Sequence, residues 1–283
     1  MKILLTGSEG FIGSHLKNRL ESEGHLTHCI DRKLGSDLID PGTIKDYLDV
    51  KVDYIVHLAG DCSTPKSLKD PATSFKDNLL ATFNVCQLAG KNKIPLLFTS
   101  TCKTEPGPDG SRTPYGTAKL CAEEWVKEYK FSYDVPIIIN KPGTIYGPGQ
   151  DASPESGWLS WFIEASMTDQ EITIYGDGNQ SRDVLYISDY IDLLMDQLNN
   201  FDKYEGKTYG VGGGKKNEIS LLRALELLEY KNYTFTNPRK GDVTRFVSDN
   251  FYVESVNGWR PKVSYLEGIT RTKEYYENLN NGS

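Results

Sequence analysis

Two residues able to exchange a proton stand at helical spacing near the middle of the chain. Tyr115 and Lys119 are four residues apart in an amphipathic stretch, so we expect both side chains on one face of a helix. A tyrosine with its ordinary pKa of about 10 is a poor base, but an ammonium beside it and the cation of an oxidised redox cofactor nearby both favour the phenolate and lower that pKa. Such a pair can take the proton of a carbinol while a redox cofactor accepts the hydride. Since this spacing also arises by chance, the alternative is a solvated helical pair.

Thr101 supplies a hydroxyl at the end of a predicted strand. It closes the segment Thr99-Ser100-Thr101, which ends the fourth apolar run of the sequence. In open parallel sheets, ligands bind beyond the carboxyl ends of the strands, so Thr101 and the helix that carries Tyr115 can converge there. Together with Lys119, these residues predict oxidation or reduction of a carbinol.

A glycine-rich turn joins the first predicted strand to the first predicted helix. Glycines recur at three-residue spacing in Thr6-Gly7-Ser8-Glu9-Gly10-Phe11-Ile12-Gly13. Glycine permits a tight turn, lets the backbone approach a pyrophosphate, and lets the helix pack closely on the strand. The phosphates then meet the free N–H groups and the dipole of the helix N-terminus. The turn therefore predicts a dinucleotide site, with contacts from Gly7, Gly10, Phe11, Ile12 and Gly13.

Asp31 closes the second predicted strand, 18 residues after Gly13. A carboxylate at this place can accept hydrogen bonds from the hydroxyls of the adenosine ribose. Its charge would repel a 2′-phosphate, so Asp31 favours NAD over NADP. Arg32 and Lys33 follow directly and can accept that phosphate, so the residues alone leave both cofactors open.

Apolar runs alternate with amphipathic stretches over the first half of the chain. This alternation predicts an α/β fold built from βαβ units around a parallel sheet. After about residue 145 the chain becomes rich in glycine and proline loops, which predicts a smaller second lobe. The predicted strands are 2–6, 26–30, 54–58, 95–100 and 136–140, and the predicted helices are 11–23, 71–90, 114–129, 186–199 and 219–230.

Composition excludes several classes of protein. The 283 residues carry 39 acidic and 32 basic side chains, a formal net charge of −7, which argues against nucleic acid as a partner. Membrane insertion is not expected, because no apolar run reaches the length of a membrane span. The N-terminus lacks the pattern of a signal peptide, so we expect a cytoplasmic protein. Five cysteines without a CxxC pair and four scattered histidines predict neither a disulfide framework nor a metal site.

Further motifs extend the pattern along nearly the whole chain. Together with the glycine turn, Asp31, Thr101, Tyr115 and Lys119, they resemble the extended short-chain dehydrogenase/reductases, specifically the NAD-dependent epimerase/dehydratase family that acts on nucleotide sugars. The resemblance implies a Rossmann-type doubly wound parallel sheet with a smaller C-terminal substrate-binding lobe. The further motifs are Asp37-Leu38-Ile39-Asp40, His57-Leu58-Ala59-Gly60, Ser67-Leu68-Lys69-Asp70-Pro71 with Asn78, Tyr146-Gly147-Pro148-Gly149, Tyr175–Asp183, Arg239-Lys240-Gly241-Asp242 and Gly258-Trp259-Arg260-Pro261.

The resemblance also implies positions for the ligands. Residues 1–145, with 184–212 returning to them, would bind NAD, while 146–183 and 213–283 would bind a nucleotide-diphosphate sugar. Relatives often pair as homodimers, which implies a homodimer here. The cofactor residues so implied are Arg32, Asp37, Leu38, Leu58, Ala59, Gly60, Asn78, Ser100 and Pro142, with Tyr115 and Lys119, and the substrate residues are Thr144, Arg182 and Arg239.

The reactions of this group differ in the step after the initial oxidation. A 4,6-dehydratase similar to known ones needs an acid–base pair just after the threonine, to expel water once the 4-ketone has acidified the neighbouring C–H. Cys102 and Lys103 occupy those places. An epimerase needs only Thr101, Tyr115, Lys119 and a retained NAD, because the hydride returns to the other face of the same carbon. We therefore predict an NAD-dependent nucleotide-sugar epimerase similar to CDP-paratose 2-epimerases or UDP-glucose 4-epimerases.

Three alternatives stay open on the sequence alone. The short connection from Ile30 to Asp37 resembles that of NAD(P)H-dependent nucleotide-4-keto-sugar reductases, and a 4,6-dehydratase is a further enzymatic alternative. The connection between Thr101 and Tyr115 is short where relatives carry a longer substrate loop. That loss favours a third possibility, a non-catalytic sensor of NAD or a nucleotide sugar.

Overall fold

The computed structural model describes residues 1–47, 49–107, 109–239 and 243–281. Its strands are β1 Lys2–Thr6, β2 Leu26–Ile30, β3 Tyr54–His57, β4 Leu96–Thr99, β5 Ile137–Pro142, β6 Thr144–Tyr146, β7 Ile172–Tyr175, β8 Ser181–Tyr186, β9 Thr208–Val211, β10 Glu218–Ser220, β11 Tyr233–Thr236 and β12 Arg245–Phe246. Its α-helices are α1 Phe11–Ser22, α2 Pro41–Tyr47, α3 Thr64–Lys69, α4 Pro71–Phe75, α5 Ala81–Asn92, α6 Pro114–Tyr133, α7 Trp158–Thr168, α8 Ile187–Asn199, α9 Phe201–Tyr204, α10 Leu221–Leu227, α11 Phe251–Asn257 and α12 Tyr265–Asn281.

The chain divides into two compact units. The first comprises Met1–Glu105, Arg112–Lys141 and Ile191–Tyr209, and the second comprises Pro106–Ser111, Pro142–Tyr190 and Gly210–Ser283. Within the described ranges, no helix combines the length and apolar character that a membrane crossing requires.

A six-stranded sheet organises the first unit. Its strand order is β2-β1-β3-β4-β5-β9, and the pairs from β2 through β5 are parallel. The chain leaves β1 toward β2 and then crosses back to β3, so the strand order reverses between β1 and β3. Ligands of doubly wound sheets bind beyond the carboxyl ends of the strands at such a reversal. This is the edge at which the glycine turn after β1 lies.

Apolar strands and helices form the core of the first unit. Strand β4 is buried along its whole length, because both faces of a parallel sheet are covered. Helices α5 and α6 pack against each other, and the core includes Val85, Ala122 and Val126 from their facing sides. The expected parallel sheet is confirmed, and its strands lie within one or two residues of the predicted ones.

The stretch expected as one helix, 71–90, has three parts in the structure. Helix α4 ends at Phe75, a π-helical turn spans Lys76–Leu80, and α5 continues from Ala81. Apolar periodicity does not distinguish a π turn from an α-helical turn over so few residues.

The second unit contains two small sheets. Strand β8 pairs with β6 and β12 in parallel and with β10 in antiparallel, while β7 and β11 form a parallel pair. The prediction of a helix over 219–230 is wrong at its first residues. Glu218–Ser220 forms strand β10 and pairs with β8, and α10 begins only at Leu221.

The Gly-Trp-Arg-Pro segment has a structural role within the second unit. Trp259 Nε1 donates to the Asp189 carbonyl at 3.0 Å, and the backbone N–H groups of Lys262 and Val263 donate to Asp189 Oδ2. One buried aspartate thereby fastens the chain between α11 and α12 to the start of α8.

Candidate active site

The glycine turn has no room for side chains. A Cβ on Gly13 would lie 1.9 Å from the Gly7 carbonyl oxygen, and one on Gly7 would lie 2.8 Å from the Ala59 nitrogen. Gly7 also has φ +71°, a conformation that favours glycine. Gly10 precedes α1 and has no side chain to cap the first N–H groups of that helix, which bears Phe11 and Ile12. The turn therefore brings bare backbone and a helix N-terminus together, as a pyrophosphate site requires.

Asp31 joins the end of β2 to the glycine turn. Its Oδ2 accepts from the Glu9 backbone N–H at 3.0 Å, and its Oδ1 accepts from the Lys33 N–H at 2.9 Å. Asp37 accepts from Arg32 Nε at 2.8 Å, and Leu38 is buried in the core of the first unit. The Leu38 side chain packs inward, and its carbonyl accepts from Asn84 Nδ2 at 2.8 Å.

The π-helical turn between α4 and α5 carries an unpaired polar atom. Asn78 is only 1% exposed, and its Nδ2 donates to the carbonyls of Asp61 and Ser74 at 3.0 and 3.1 Å. Its Oδ1 is buried without a partner, beside Gly60, where a Cβ would lie 2.7 Å from it. Leaving a buried acceptor unpaired is costly, so this oxygen marks a place for a ligand donor.

These features fit a dinucleotide. A glycine cradle that any Cβ would fill, a helix N-terminus and an orphaned amide oxygen all lie along the carboxyl edge of β1–β3. Leu58 donates its N–H to the Thr6 carbonyl, and Ala59 donates to the Thr6 hydroxyl, which continues the same edge.

Tyr115, Thr101 and Lys119 come together in the first unit. The hydroxyls of Tyr115 and Thr101 are hydrogen-bonded to each other, and both residues are buried. Thr113 caps α6 by accepting from the Gly116 N–H, which begins the helix at the residue before Tyr115. Burial raises the pKa of the Tyr115 phenol far above its ordinary value, so the group is protonated at neutral pH in the chain alone. The expected lowering depends on the ammonium together with a cofactor cation, so for the cofactor-bound protein it stays a prediction.

Lys119 points to a carbonyl in the core of the site. Its ammonium is 4% exposed, donates to the Thr99 carbonyl at 2.8 Å and lies 4.3 Å from the centre of the Phe98 ring. Burial lowers the pKa of Lys119 to about 7, and the carboxylate of Glu123 opposes that shift. Glu123 is 2% exposed and accepts from the Ser100 hydroxyl. A buried carboxylate one helical turn from Lys119 therefore helps to keep the ammonium charged.

Replacing Glu123 by glutamine should lower the pKa of Lys119. Glutamine keeps the shape and can still accept from Ser100, but it removes the negative charge that stabilises the ammonium. We expect the acid dissociation constant of Lys119 to rise by about tenfold or more. NMR titration of lysine side-chain resonances, assigned with Lys119→Met, measures this directly.

A neighbouring glutamate provides the matched control. Glu124 is exposed and paired with Lys127, so Glu124→Gln removes the same charge from the solvent face of α6. This variant should leave the pKa of Lys119 the same as in the unsubstituted protein. An unchanged pKa in Glu123→Gln would show that the two buried groups are not electrostatically coupled.

A cavity of about 510 Å³ lies in the second unit, at the carboxyl ends of β7 and β11. The Arg239 guanidinium lies 3.7 Å from the centre of the Tyr175 ring and donates to the Pro154 carbonyl. Gln180 Oε1 is buried there without a hydrogen-bond partner. An aromatic face, a cation and an unpaired acceptor suit a planar, hydrogen-bonding group that carries negative charge. The lining residues are Tyr175, Gly176, Asp177, Gln180, Thr236, Asn237, Pro238, Arg239, Val243 and Thr244.

The remaining expected substrate residues lie elsewhere in the second unit. Arg182 is on β8 and donates to the carbonyl of its neighbour Ser181 at 2.7 Å, and it is not among the described residues that line the cavity. Thr144 is the first residue of β6. Pro142, an expected contact of the cofactor rather than of the substrate, is the last residue of β5. Lys240, Gly241 and Asp242 lie outside the described residues.

Sequence reasoning missed two residues of the first unit. Glu123 continues the i, i+4 spacing of Tyr115 and Lys119, and this spacing could have indicated it. Asp77 pairs with Arg32 across 45 positions of sequence, which no local pattern indicates. Within the described ranges, no group of three or more histidine, cysteine, aspartate or glutamate side chains could hold a metal ion.

Fold and site together define a dinucleotide-binding α/β protein with a threonine, tyrosine and lysine at the carboxyl edge of its sheet. A model of the NAD-dependent epimerase/dehydratase family matches residues 3–212, and the chain belongs to that family. The expected family, the Rossmann-type fold and the NAD cofactor are thereby confirmed.

Full-length relatives agree with this assignment. The chain is 28% identical to the UDP-glucose 4-epimerase of Mycolicibacterium smegmatis, across 98% of this chain and 99% of that protein. It is 27% identical to the CDP-paratose 2-epimerase of Salmonella typhi, across 99% of this chain and 100% of that protein. The crystal structure of Thermus thermophilus UDP-glucose 4-epimerase in complex with NAD has a similar fold, with a TM-score of 0.86. The two sequences are 27% identical, and the match covers 98% of this chain and 99% of that chain. The family and these relatives indicate an enzyme.

Proposed function

We propose that this protein is an NAD-dependent nucleotide-sugar epimerase, which inverts one sugar carbon by transient oxidation to a ketone and re-reduction. The observation that carries the proposal is the hydrogen-bonded pair of Thr101 and Tyr115 one helical turn from the buried Lys119. Relatives that act on UDP-glucose and CDP-paratose support the substrate class.

Thr101, Tyr115 and Lys119 have different roles in the proton transfer. The Thr101 hydroxyl orients the substrate oxygen. The ionised Tyr115 phenolate takes the carbinol proton, and the phenol so formed returns it. In the structure the Thr101 side chain lowers the Tyr115 pKa and so opposes the effect of burial. The ammonium of Lys119, four residues along the same helix, would further favour the ionised phenol. Burial of all three groups excludes water from the proton transfer.

When bound, NAD would supply the acceptor and donor of the hydride of the carbinol carbon. Gly7, Gly10 and Gly13 would hold its pyrophosphate against α1, Asp31 would accept from the adenosine ribose, and Asn78 Oδ1 would accept from a donor of the cofactor. Ser100, through its bond to Glu123, belongs to the same buried cluster as Lys119.

The groups around Tyr115 favour epimerisation over dehydration. Cys102 and Lys103 form a short 3₁₀ turn after Thr101, where a dehydratase needs an acid–base pair. The carboxylate whose charge acts on the Tyr115 phenol is that of Asp61, and it is paired with Lys66. No carboxyl group among these neighbours is therefore free for a second proton transfer.

The reaction is tested with purified protein and a panel of UDP- and CDP-linked sugars. An epimerase converts its substrate without added NADH and keeps a deuterium label at the inverted carbon, as NMR of the product shows. Stoichiometric consumption of NADH or NADPH would establish the reductase instead. Loss of water would establish the dehydratase, and the absence of turnover across the panel, with binding retained, would favour the sensor.

We also propose that the cavity of the second unit binds the nucleoside diphosphate of the substrate. A guanidinium offers paired donors that match phosphate oxygens. Arg239→Ala should weaken binding of UDP or CDP by about 10- to 100-fold, the equivalent of a charged hydrogen bond. Isothermal titration with each nucleotide measures this, and the affinity for NAD should not change.

Two further variants locate the diphosphate. Arg260→Ala removes an exposed guanidinium that pairs with Glu254, and it should leave nucleotide binding intact. Arg182→Ala tests the other expected contact. If Arg182→Ala abolishes binding while Arg239→Ala does not, the diphosphate lies along β8 rather than in the cavity. Homodimerisation and a cytoplasmic location stay predictions.

A further inference from the structure

An ion-pair cluster lies at the carboxyl end of β2. Arg32 donates from Nη2 to Asp77 Oδ1 at 2.6 Å and from Nε to Asp37 Oδ2 at 2.8 Å. Asp77 comes from the π-helical turn and is only 6% exposed. The bond to Asp77, together with that to Asp37, raises the pKa of Arg32. Two carboxylates from different parts of the chain thus hold one guanidinium.

The cluster lies where the residues alone left NAD and NADP open. NADP differs from NAD by a phosphate on the adenosine 2′-oxygen, and a nearby arginine is what accommodates that phosphate in related sites. Here the charge of Arg32 is already matched by two carboxylates, and Asp31 adds another negative charge whose two oxygens accept backbone N–H groups. Lys33 turns its ammonium to the Glu9 carbonyl at 3.1 Å.

A phosphate dianion would meet an unfavourable balance of charge at this place. To form a paired contact with Nε and Nη2 of Arg32, the phosphate would have to displace Asp37 and Asp77 and leave carboxylates without their partner. At the remaining guanidinium donors it would face the negative charge of both carboxylates. The glycine turn does not distinguish the two dinucleotides, since it contacts the pyrophosphate that both share. Discrimination therefore depends on the side chains after β2.

We propose that Asp77 and Asp37 are specificity-determining residues, which withhold Arg32 from the 2′-phosphate and so exclude NADP. Asp31 repels that phosphate directly, whereas these two act by occupying the cation that would otherwise attract it. The inference rests on the cofactor site alone, so it stands or falls independently of the sugar that the enzyme converts.

The test compares NAD and NADP by isothermal titration of protein freed of bound nucleotide. The unsubstituted protein should bind NAD more tightly. Asp77→Asn keeps the shape and removes the charge, and we expect the ratio of the two dissociation constants to move toward NADP by about tenfold, with NAD affinity within about twofold. Adenosine 5′-monophosphate and adenosine 2′,5′-bisphosphate should show the same change, because they differ only by the 2′-phosphate.

Matched variants separate this mechanism from a general change of charge. Asp40→Asn removes an exposed carboxylate of the same connection that instead accepts from the Gly42 N–H, and it should leave the ratio unchanged. Adding Arg32→Ala to Asp77→Asn should abolish the gain. If Asp77→Asn unfolds in a thermal scan, Asp37→Asn should move the ratio of the two dissociation constants in the same direction at a more exposed carboxylate, whatever its effect on the affinity for NAD itself. An unchanged ratio, an equal shift in Asp40→Asn, or a gain that persists without Arg32 would each overturn the proposal.

Discussion

Tyr115→Phe should lower turnover by about 10²- to 10⁴-fold, the usual effect of losing a general acid or base. The substitution removes only the phenolic oxygen and its hydrogen bond to Thr101, while the buried ring keeps its packing. NAD affinity should therefore change little. Steady-state kinetics with the substrate identified in the panel, together with titration of NAD, measures both effects.

A second tyrosine on the same helix provides the control. Tyr129 is also buried on α6 and packs on Phe83 and Tyr133. Tyr129→Phe removes a similar oxygen far along the helix from Thr101, and turnover should stay within about twofold of the original. Near-normal turnover by Tyr115→Phe would show that another group exchanges the proton.

Gly13→Ala should weaken NAD binding by about 100-fold or more, equivalent to roughly 2.7 kcal/mol. The added methyl group would lie 1.9 Å from the Gly7 oxygen and 2.9 Å from the Ser8 Cα. Both are backbone atoms, so no flexible side chain can move aside, and α1 must shift away from the turn. Overpacking of this kind also costs about 1–3 kcal/mol of stability. Titration of NAD and chemical denaturation measure the two effects separately.

Gly42→Ala is the matched glycine control. Gly42 lies in α2, and an added Cβ would meet only the Asp40 carboxylate, at 3.3 Å. That side chain can rotate, and alanine favours a helix, so stability should be unchanged or higher by up to about 1 kcal/mol. Normal NAD affinity in Gly13→Ala would contradict the proposed contact between the glycine turn and the pyrophosphate.

Much of the first unit could be predicted because its strands have strong local patterns. Runs such as Pro95–Ser100 are apolar, short and flanked by turn residues, and β4 lies within that run. The second unit offered no such signal. Strands such as β10 and β12 have three and two residues, too few for an alternating pattern, and their pairing with β8 joins distant parts of the chain.

The residues of the candidate site also differ in whether a local sequence pattern indicates them. Glycine spacing and the Tyr115–Lys119 pair are local patterns whose chemistry can be read from residue types. The partners that tune them are not local: Asp77 reaches Arg32, and Ser100 reaches Glu123, only after the sheet has formed. The residue types also gave no sign of the effect of burial, which raises the Tyr115 pKa in the chain without its cofactor.

The π-helical turn makes this enzyme sensitive to chain length rather than to composition. A turn closed by i→i+5 hydrogen bonds holds one residue more than an α-helical turn, so it acts as a one-residue insertion between α4 and α5. Within it, Asp77 reaches Arg32 while Asn78 directs its unpaired oxygen toward Gly60. Deleting a single residue from 76–80 would let a continuous α-helix form and rotate both side chains away, even if every remaining residue were kept. A substitution in this turn changes one of these two side chains, whereas a deletion displaces both the Asp77–Arg32 ion pair and the Asn78 oxygen at once.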